Sequence, residues 1–159
     1  MKTSGIVALA TQLAAADPDA CDRRDLAVYV DASSRLRAWL DAFDARCARR
    51  AGELADEDGG ARGAEVIANG GRRSGREAAA IERRGVAMDL MPELAQALTA
   101  GEVSAAHVDA VGRAVHDLDD DGRAQLAELD AAVTQRARET SVGVSDGLCR
   151  SSSSSGVVT

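Results

Sequence analysis

The stretch between positions 22 and 56 repeats its apolar residues at heptad spacing, and this pattern constrains the fold more than any other. Such spacing predicts one long helix with a seam, an apolar stripe that packs against another helix. The partner helix is expected either within the domain or in a second chain, and the internal partner is favoured because Ser33 and Arg50 interrupt the stripe. The two rows of the seam are Leu26, Ser33, Leu40, Cys47 and Leu54, and Tyr29, Leu36 and Phe43.

The composition favours helix along the rest of the chain. Apolar residues make up 45%, mainly Ala, Leu and Val, and the only aromatic residues are Tyr29, Trp39 and Phe43. Abundant Ala, Leu, Glu and Arg favour helix, and no run of alternating β-branched residues indicates a strand. The predicted fold is therefore all-α, a helical bundle with one long N-terminal helix, a Gly-rich loop and a set of shorter helices.

Breaks in the pattern divide the chain into three parts. A short N-terminal helix and linker occupy 1–20, interrupted by Asp17-Pro18-Asp19, and a helical domain occupies 21–140. Within it, 58–73 is predicted to be a Gly-rich loop, since glycine destabilises a helix interior. The last part, 141–159, includes a five-serine run and is predicted to be disordered.

Helix-end signals place the elements that follow the loop. One helix is expected from about Ser74 to Asp89, and another begins at Pro92, a good first-turn residue, and ends at Gly101. Ser104 is the expected N-cap of the next helix. A turn at 119–122 then leads into a last helix over 123–138, whose predicted apolar stripe is Leu126, Leu129 and Val133.

The cysteines and the hydropathy of the chain indicate the cellular compartment of the protein. Cys21, Cys47 and Cys149 are odd in number and far apart, which is typical of reduced cytosolic thiols. No segment approaches the length of a membrane span, and the N-terminal apolar run is too interrupted for a convincing signal peptide. A cytoplasmic protein without a cofactor is expected.

An Asp-rich segment fits the pattern of a calcium-binding loop. Asp117, Asp119 and Asp121 alternate before Gly122, and Glu128 follows six residues later. Carboxylates at this spacing can supply the oxygen ligands of Ca²⁺. The flanking residues are atypical of such loops, and an Asp-rich turn also caps the helix after it. The capping interpretation is the preferred one.

A cluster of arginines is the strongest candidate for contact with nucleic acid. Its members are Arg72, Arg73, Arg76, Arg83 and Arg84, beside the pair Gly70-Gly71. A basic helix face can bind phosphates, but the net charge of −7 opposes it. No aromatic residue lies among these arginines to stack on bases. A solvated face of ion pairs is the alternative.

The segment from Met91 to Val111 has the outline of a helix-turn-helix. The turn is one residue too long for the DNA-binding form, and the second helix carries Asp109 and Asp117 against Arg113. Such a helix would be repelled in the major groove, so the segment is interpreted as packing. His107 is expected to be partly buried and hydrogen-bonded rather than catalytic, and no nucleophile motif predicts a catalytic site.

One set of residues within 71–111 forms a recognisable pattern: Gly71, Arg72, Arg73, Ser74, Glu77, Met91-Pro92, Ala97-Leu98, Gly101, Val103-Ser104 and His107-Val108-Asp109. With these residues, the stretch resembles the helical domain of unknown function at the N-terminus of many actinobacterial HNH-endonuclease-like proteins. The similarity extends more loosely over 4–140.

In that family, a zinc-stabilised HNH module that cuts DNA usually follows the helical domain. Here the only histidines are His107 and His116, and Asn69 is the only asparagine, so no catalytic residue carries over. The resemblance implies a non-catalytic helical domain, ending as a truncated or frameshifted gene would, that acts through protein or weak DNA contact. Self-association through 22–56 is one possible form of that contact. The alternatives are an accessory chain of a mobile-element endonuclease and a calcium-binding module.

Overall fold

The computed structural model describes residues 3–140, and these residues form eight α-helices and no strand. The all-α prediction is confirmed, and the predicted tail at 141–159 lies outside the described residues. A short 3₁₀ helix, Pro18–Ala20, follows the first α-helix. The helices are α1 Thr3–Ala14, α2 Arg23–Asp58, α3 Gly63–Gly71, α4 Gly75–Leu90, α5 Pro92–Ala100, α6 Ala105–Asp117, α7 Asp120–Glu128 and α8 Asp130–Glu139.

The long helix α2 begins and ends within two residues of its predicted bounds. The Asp22 carboxylate accepts hydrogen bonds from the backbone N–H groups of Arg24 and Asp25, which caps the helix. Gly59 takes the left-handed conformation and closes it. Helices α3, α4 and α5 pack against α2, and α1 packs on it with Ile6, Leu9 and Leu13 half-buried.

The face that α2 buries is not the predicted seam. The buried residues of α2 are all alanines, whereas Leu26, Leu40 and Leu54 are 39–46% exposed. The prediction of an internal partner for the heptad rows is therefore wrong at these positions. Alanine is preferred on the packed side because its small side chain lets the neighbouring helices come close. The buried alanine face consists of Ala32, Ala38, Ala42, Ala45 and Ala48.

Two glycines on neighbouring helices contribute to this close packing. A Cβ atom on Gly63 of α3 would overlap the carbonyl group of Ala48, and one on Gly85 of α4 would lie 2.9 Å from the carbonyl oxygen of Ala45. The rest of the core comes mainly from α4, α5 and α6, where Met91, Leu94, Leu98 and Val108 have no exposed surface.

The predicted Gly-rich loop contains a helix, so that prediction is wrong over Gly63–Gly71. The segment AEVIAN places Ile67 in the core, with Ala64 and Ala68 packed beside it. This apolar stripe holds a helix together because the glycines fall mainly near its ends. Gly63 lies at the start of α3, and Gly70 and Gly71 lie in its last turn.

The boundaries of helices α4 to α6 lie at the capping and helix-ending residues that the sequence predicts. Ser74 and Glu77 form a reciprocal capping box at the start of α4. Gly101 has a φ of 77° at the end of α5, and Ser104 precedes α6 in extended conformation. No helix within residues 3–140 is long and apolar enough to cross a membrane.

The predicted last helix is two helices, divided at Leu129. Leu129 is 54% exposed, so it does not take part in the predicted apolar stripe. Directly after the break, the buried Asp130 carboxylate accepts hydrogen bonds from the backbone N–H groups of Glu93 and Leu94, at 2.7 and 3.1 Å. Asp130 therefore caps α5 from a distant part of the chain, a contact that holds α8 on α5.

Candidate interaction surface

One side of α2 carries large apolar residues that the domain leaves partly exposed. We define the outer face of α2 as Leu36, Trp39, Leu40, Phe43 and Arg46. Leu40 and Phe43 are each 46% exposed, and Leu36 and Trp39 are half-buried. These side chains lie three and four residues apart, so they form one stripe along the helix. The outer face is thus an apolar surface in the middle of a helix that already has a buried side.

Aromatic and cationic contacts fix the side chains of the outer face. The Trp39 and Phe43 rings are stacked, with centroids 5.7 Å apart and planes 20° from parallel. The Arg46 guanidinium lies over the Phe43 ring at 6.0 Å from its centroid. Both contacts join residues one helical turn apart, so they limit the rotamers open to Phe43 before any partner binds.

Helix α3 extends the apolar surface on one side. Val66 is 40% exposed beside Leu40, and the two helices enclose a groove of about 450 Å³. At the edge of the groove, Arg73 donates a hydrogen bond to the Asp44 carboxylate at 2.9 Å. The groove is lined by Leu40, Asp44, Cys47, Val66, Ile67, Gly70, Gly71 and Arg73.

Arg37 and Arg46 are among the α2 arginines that form no ion pair within residues 3–140. Arg37 and Asp44 are one heptad apart on α2, as are Trp39 and Arg46. One edge of the outer face therefore carries Arg46 and an aromatic ring, Trp39, that can bind a cation. The other edge carries Arg37 and a carboxylate, Asp44.

The structure does not bring the five predicted nucleic-acid-binding arginines onto one surface. Arg72 ends α3 with a φ of 53°, and Arg76 lies exposed in the first turns of α4. Arg73 is paired with Asp44, and Arg83 is half-buried. Arg84 is almost fully buried, with 6% of its surface exposed.

The buried Arg84 joins three helices. Its Nε and Nη2 atoms donate to the two oxygens of Asp109 on α6, at 2.8 and 2.9 Å, and Nη1 donates to Asp41 on α2 at 3.2 Å. Burial raises the pKa of the Asp41 carboxyl above its ordinary value, and the guanidinium groups of Arg84 and Arg73 oppose the rise. This cluster is structural: the donors of Arg84 are directed at carboxylates of its own chain.

Sequence reasoning placed Arg84 on a basic surface and missed this contact. The signal was its position on α4, three residues after Ile81 and four before Met88, which are both buried. A charged residue at that spacing faces inward and requires a buried partner. Asp109 fulfils that role from the adjacent helix α6.

The candidate calcium ligands do not surround a common point. Asp117 ends α6, Asp119 caps α7 through the N–H of Gly122 at 2.8 Å, and Asp121 and Glu128 lie in the first and last turns of α7. Among residues 3–140, no group of three or more His, Cys, Asp or Glu side chains is arranged to hold a metal ion. The interpretation of this segment as a helix cap is confirmed.

Three of the residues in the resemblance pattern, Ser74, Glu77 and His107, form hydrogen bonds at helix ends. Hydrogen bonds from Ser74 hold the pKa of the Glu77 carboxyl below its ordinary value. His107 is half-buried, and its Nε2 lies 2.7 Å from the carbonyl oxygen of Thr140. Because a carbonyl only accepts, Nε2 carries the proton and Nδ1 accepts from the N–H of Ser104. The expectation of a partly buried, hydrogen-bonded His107 is confirmed.

A larger groove of about 550 Å³ lies between α2, α4 and α5, and four of its five charged lining residues form ion pairs, the exception being Arg46 of the outer face. Arg49 pairs with Glu53 and Asp89, and Arg138 pairs with Glu102 at 2.8 Å. These pairs leave the outer face of α2 as the better candidate for contact with another molecule. Comparison of the chain with protein-family models, with curated proteins and with solved structures finds no match.

Proposed function

We propose that this chain is a non-catalytic, cytoplasmic helical domain that acts by binding protein through the outer face of α2. The resemblance to the domain that precedes HNH modules supports the helical, non-catalytic part of the proposal. The observation that carries the protein-binding part is the half-exposed stripe of Leu40 and Phe43 on a helix whose opposite face builds the core.

The residue types of the outer face are those of a protein interface. Aromatic residues and arginine are enriched at the centres of interfaces, where they dominate the binding energy. Trp39, Phe43 and Arg46 are already stacked in one arrangement, so little side-chain entropy is lost when a partner covers them. Val66 shares a groove with Leu40 and widens the surface that a partner would bury.

Contact with DNA is the weaker candidate on charge. Arg73 and Arg84 already form ion pairs with carboxylates of the same chain, and the chain as a whole carries a net charge of −7. A protein that neutralises phosphates needs several free cations on one surface. DNA binding would appear in the crosslinking experiment as an adduct that nuclease removes.

Photo-crosslinking at position 43 tests the proposal. Phe43 is replaced by benzoyl-phenylalanine in the full chain, which is expressed in the cells it comes from and irradiated. We expect a covalent adduct of higher mass that protease removes and nuclease does not. The physical reason is that position 43 lies at the centre of the outer face, within reach of whatever covers it.

The same photoreactive residue at Val86 provides the control. Val86 is exposed to a similar degree, at 52%, but lies on α4 away from the outer face. Adducts at position 43 and not at position 86 would support a specific protein contact. Absence of any adduct at position 43, or an adduct that nuclease removes, would overturn the proposal.

A further inference from the structure

We propose that the partner of the outer face is a second copy of this chain, with the two α2 helices antiparallel across a two-fold axis midway between Leu40 and Phe43. This inference rests on the proposed function, because it names the protein that the outer face binds. A two-fold interface brings the same surface of each copy together, so every contact occurs twice. The outer face has to be complementary to itself for this arrangement to form.

The apolar residues of the outer face are complementary to themselves in this register. The axis sets Leu40 opposite Phe43 of the partner subunit and Leu36 opposite Cys47 of the partner subunit. These positions belong to the two heptad rows, which interdigitate when two helices pack at a shallow angle. The exposed parts of Leu40 and Phe43 would be covered by each other.

The charged and aromatic residues along one edge are complementary as well. Residues that come directly before Leu40 and Cys47 in the sequence lie along one edge of the outer face. In an antiparallel pair, they meet the same edge of the partner subunit. Trp39 and Arg46 occupy this edge, one heptad apart, so each Arg46 lies near the partner's Trp39. A guanidinium over an indole ring is a favourable cation–π contact, and Arg46 has no carboxylate partner among residues 3–140.

The other edge pairs opposite charges. Arg37 and Asp44 lie there, one heptad apart, so each Arg37 lies near the partner's Asp44. Asp44 already accepts a hydrogen bond from Arg73 at 2.9 Å, which holds its carboxylate at the edge of the outer face. A parallel pairing would set Arg46 near the partner's Ala51 and Arg37 near the partner's Ala32, with no complement for either charge. The charges therefore select the antiparallel arrangement.

The first test measures the mass of the chain in solution. Light scattering after size-exclusion chromatography is expected to give twice the chain mass of 16.4 kDa. Phe43→Glu is expected to give the monomer mass with an unchanged circular dichroism spectrum, since it sets two carboxylates in the apolar centre of the interface. Val86→Glu, on the exposed side of α4, is the control and is expected to remain a dimer.

The second test measures the register by disulfide formation. With Cys21 and Cys149 replaced by serine, Leu36→Cys is expected to create a thiol that oxidises onto Cys47 of the partner subunit, giving a covalent dimer. The same background with Leu36 intact leaves each Cys47 far from the partner's Cys47, so no covalent dimer is expected. Covalent dimers in that background would indicate a parallel pair and overturn the antiparallel proposal.

The two proposals fail in different ways. A wild-type chain that stays monomeric at every concentration, but crosslinks from position 43 to a different protein in cells, would overturn self-association and leave the protein-binding function standing. A chain that gives no adduct at position 43 would overturn the function as well.

Discussion

Replacement of Arg84 by methionine is expected to lower the free energy of unfolding by about 3 kcal/mol, because it leaves the Asp109 and Asp41 carboxylates without their buried cation. Methionine preserves the length and the packing of the side chain, so the loss reports the charge cluster rather than a cavity. For a domain of this size, the loss corresponds to about 10 °C in melting temperature. Chemical denaturation followed by circular dichroism measures it.

The pH dependence of the Arg84→Met variant identifies the cause. Without the Arg84 guanidinium, the rise that burial causes in the pKa of the Asp41 carboxyl is less opposed, so this pKa in the folded state should lie further above its value in the unfolded state. The folded state then binds a proton more strongly, so stability rises as the pH falls through that pKa. The loss in free energy of unfolding of Arg84→Met relative to wild type should therefore be smaller at about pH 4 than at pH 7.

Arg76→Met is the control for this measurement. Arg76 is exposed on the same helix, α4, and forms no ion pair within residues 3–140. Its replacement should change the free energy of unfolding by less than about 0.5 kcal/mol. Equal losses for Arg84→Met and Arg76→Met would show that the cluster of Arg84, Asp41 and Asp109 does not stabilise the fold.

Two glycine-to-alanine substitutions are expected to have opposite signs. Gly63→Ala should lower the free energy of unfolding by about 3 kcal/mol, because its Cβ would overlap the backbone of Ala48 and push α3 away from α2. Gly52→Ala should raise it by about 0.5–1 kcal/mol, because Gly52 lies inside α2 with no neighbouring atom within 4 Å of the added Cβ. Thermal unfolding of both variants measures the contrast.

The comparison isolates packing from helix propensity. Both substitutions replace a helical glycine by the best helix former, so propensity alone predicts two gains. A gain at both positions would show that α3 does not contact α2 through Gly63.

Helix ends could be predicted from the sequence because their signals are local. Asp22, Ser74 and Gly101 each act on backbone groups within a few residues, and all three do so in the structure. The break at Leu129 has a non-local cause. Asp130 caps α5 from more than thirty residues away, and no local pattern indicates such a contact.

The faces of the helices were harder to predict than their ends. Large apolar residues predict a buried stripe, but α2 buries alanines, whose individual hydrophobic contribution is small. Gly63 had the properties of a helix breaker in the sequence, although in the structure it is a point of close approach. Both errors arise because close packing between helix backbones requires small residues at the contact. The sequence of one helix does not show which residues of the neighbouring helix pack against it.

The candidate site was predicted in part. The heptad rows, which contribute Leu36, Leu40 and Phe43 to the outer face, were visible in the sequence, and a second chain as their partner was one of the two arrangements that this spacing predicts. Their exposure could be known only from the structure. The arginine run failed as a guide to a surface because Arg73 and Arg84 are paired by residues distant in sequence, Asp44 and Asp109.

The central claim is that one side of α2 builds the core while the outer face is free to bind a partner. Thermal unfolding of Phe43→Glu and Ala42→Glu, with both chains dilute, tests this claim most directly. Ala42 has no exposed surface, so Ala42→Glu buries a charge in the core and should abolish cooperative unfolding. Phe43→Glu should change the melting temperature by no more than about 4 °C, since position 43 lies outside the core. Loss of the folded state in both variants would contradict a free outer face and show that Phe43 is part of the core.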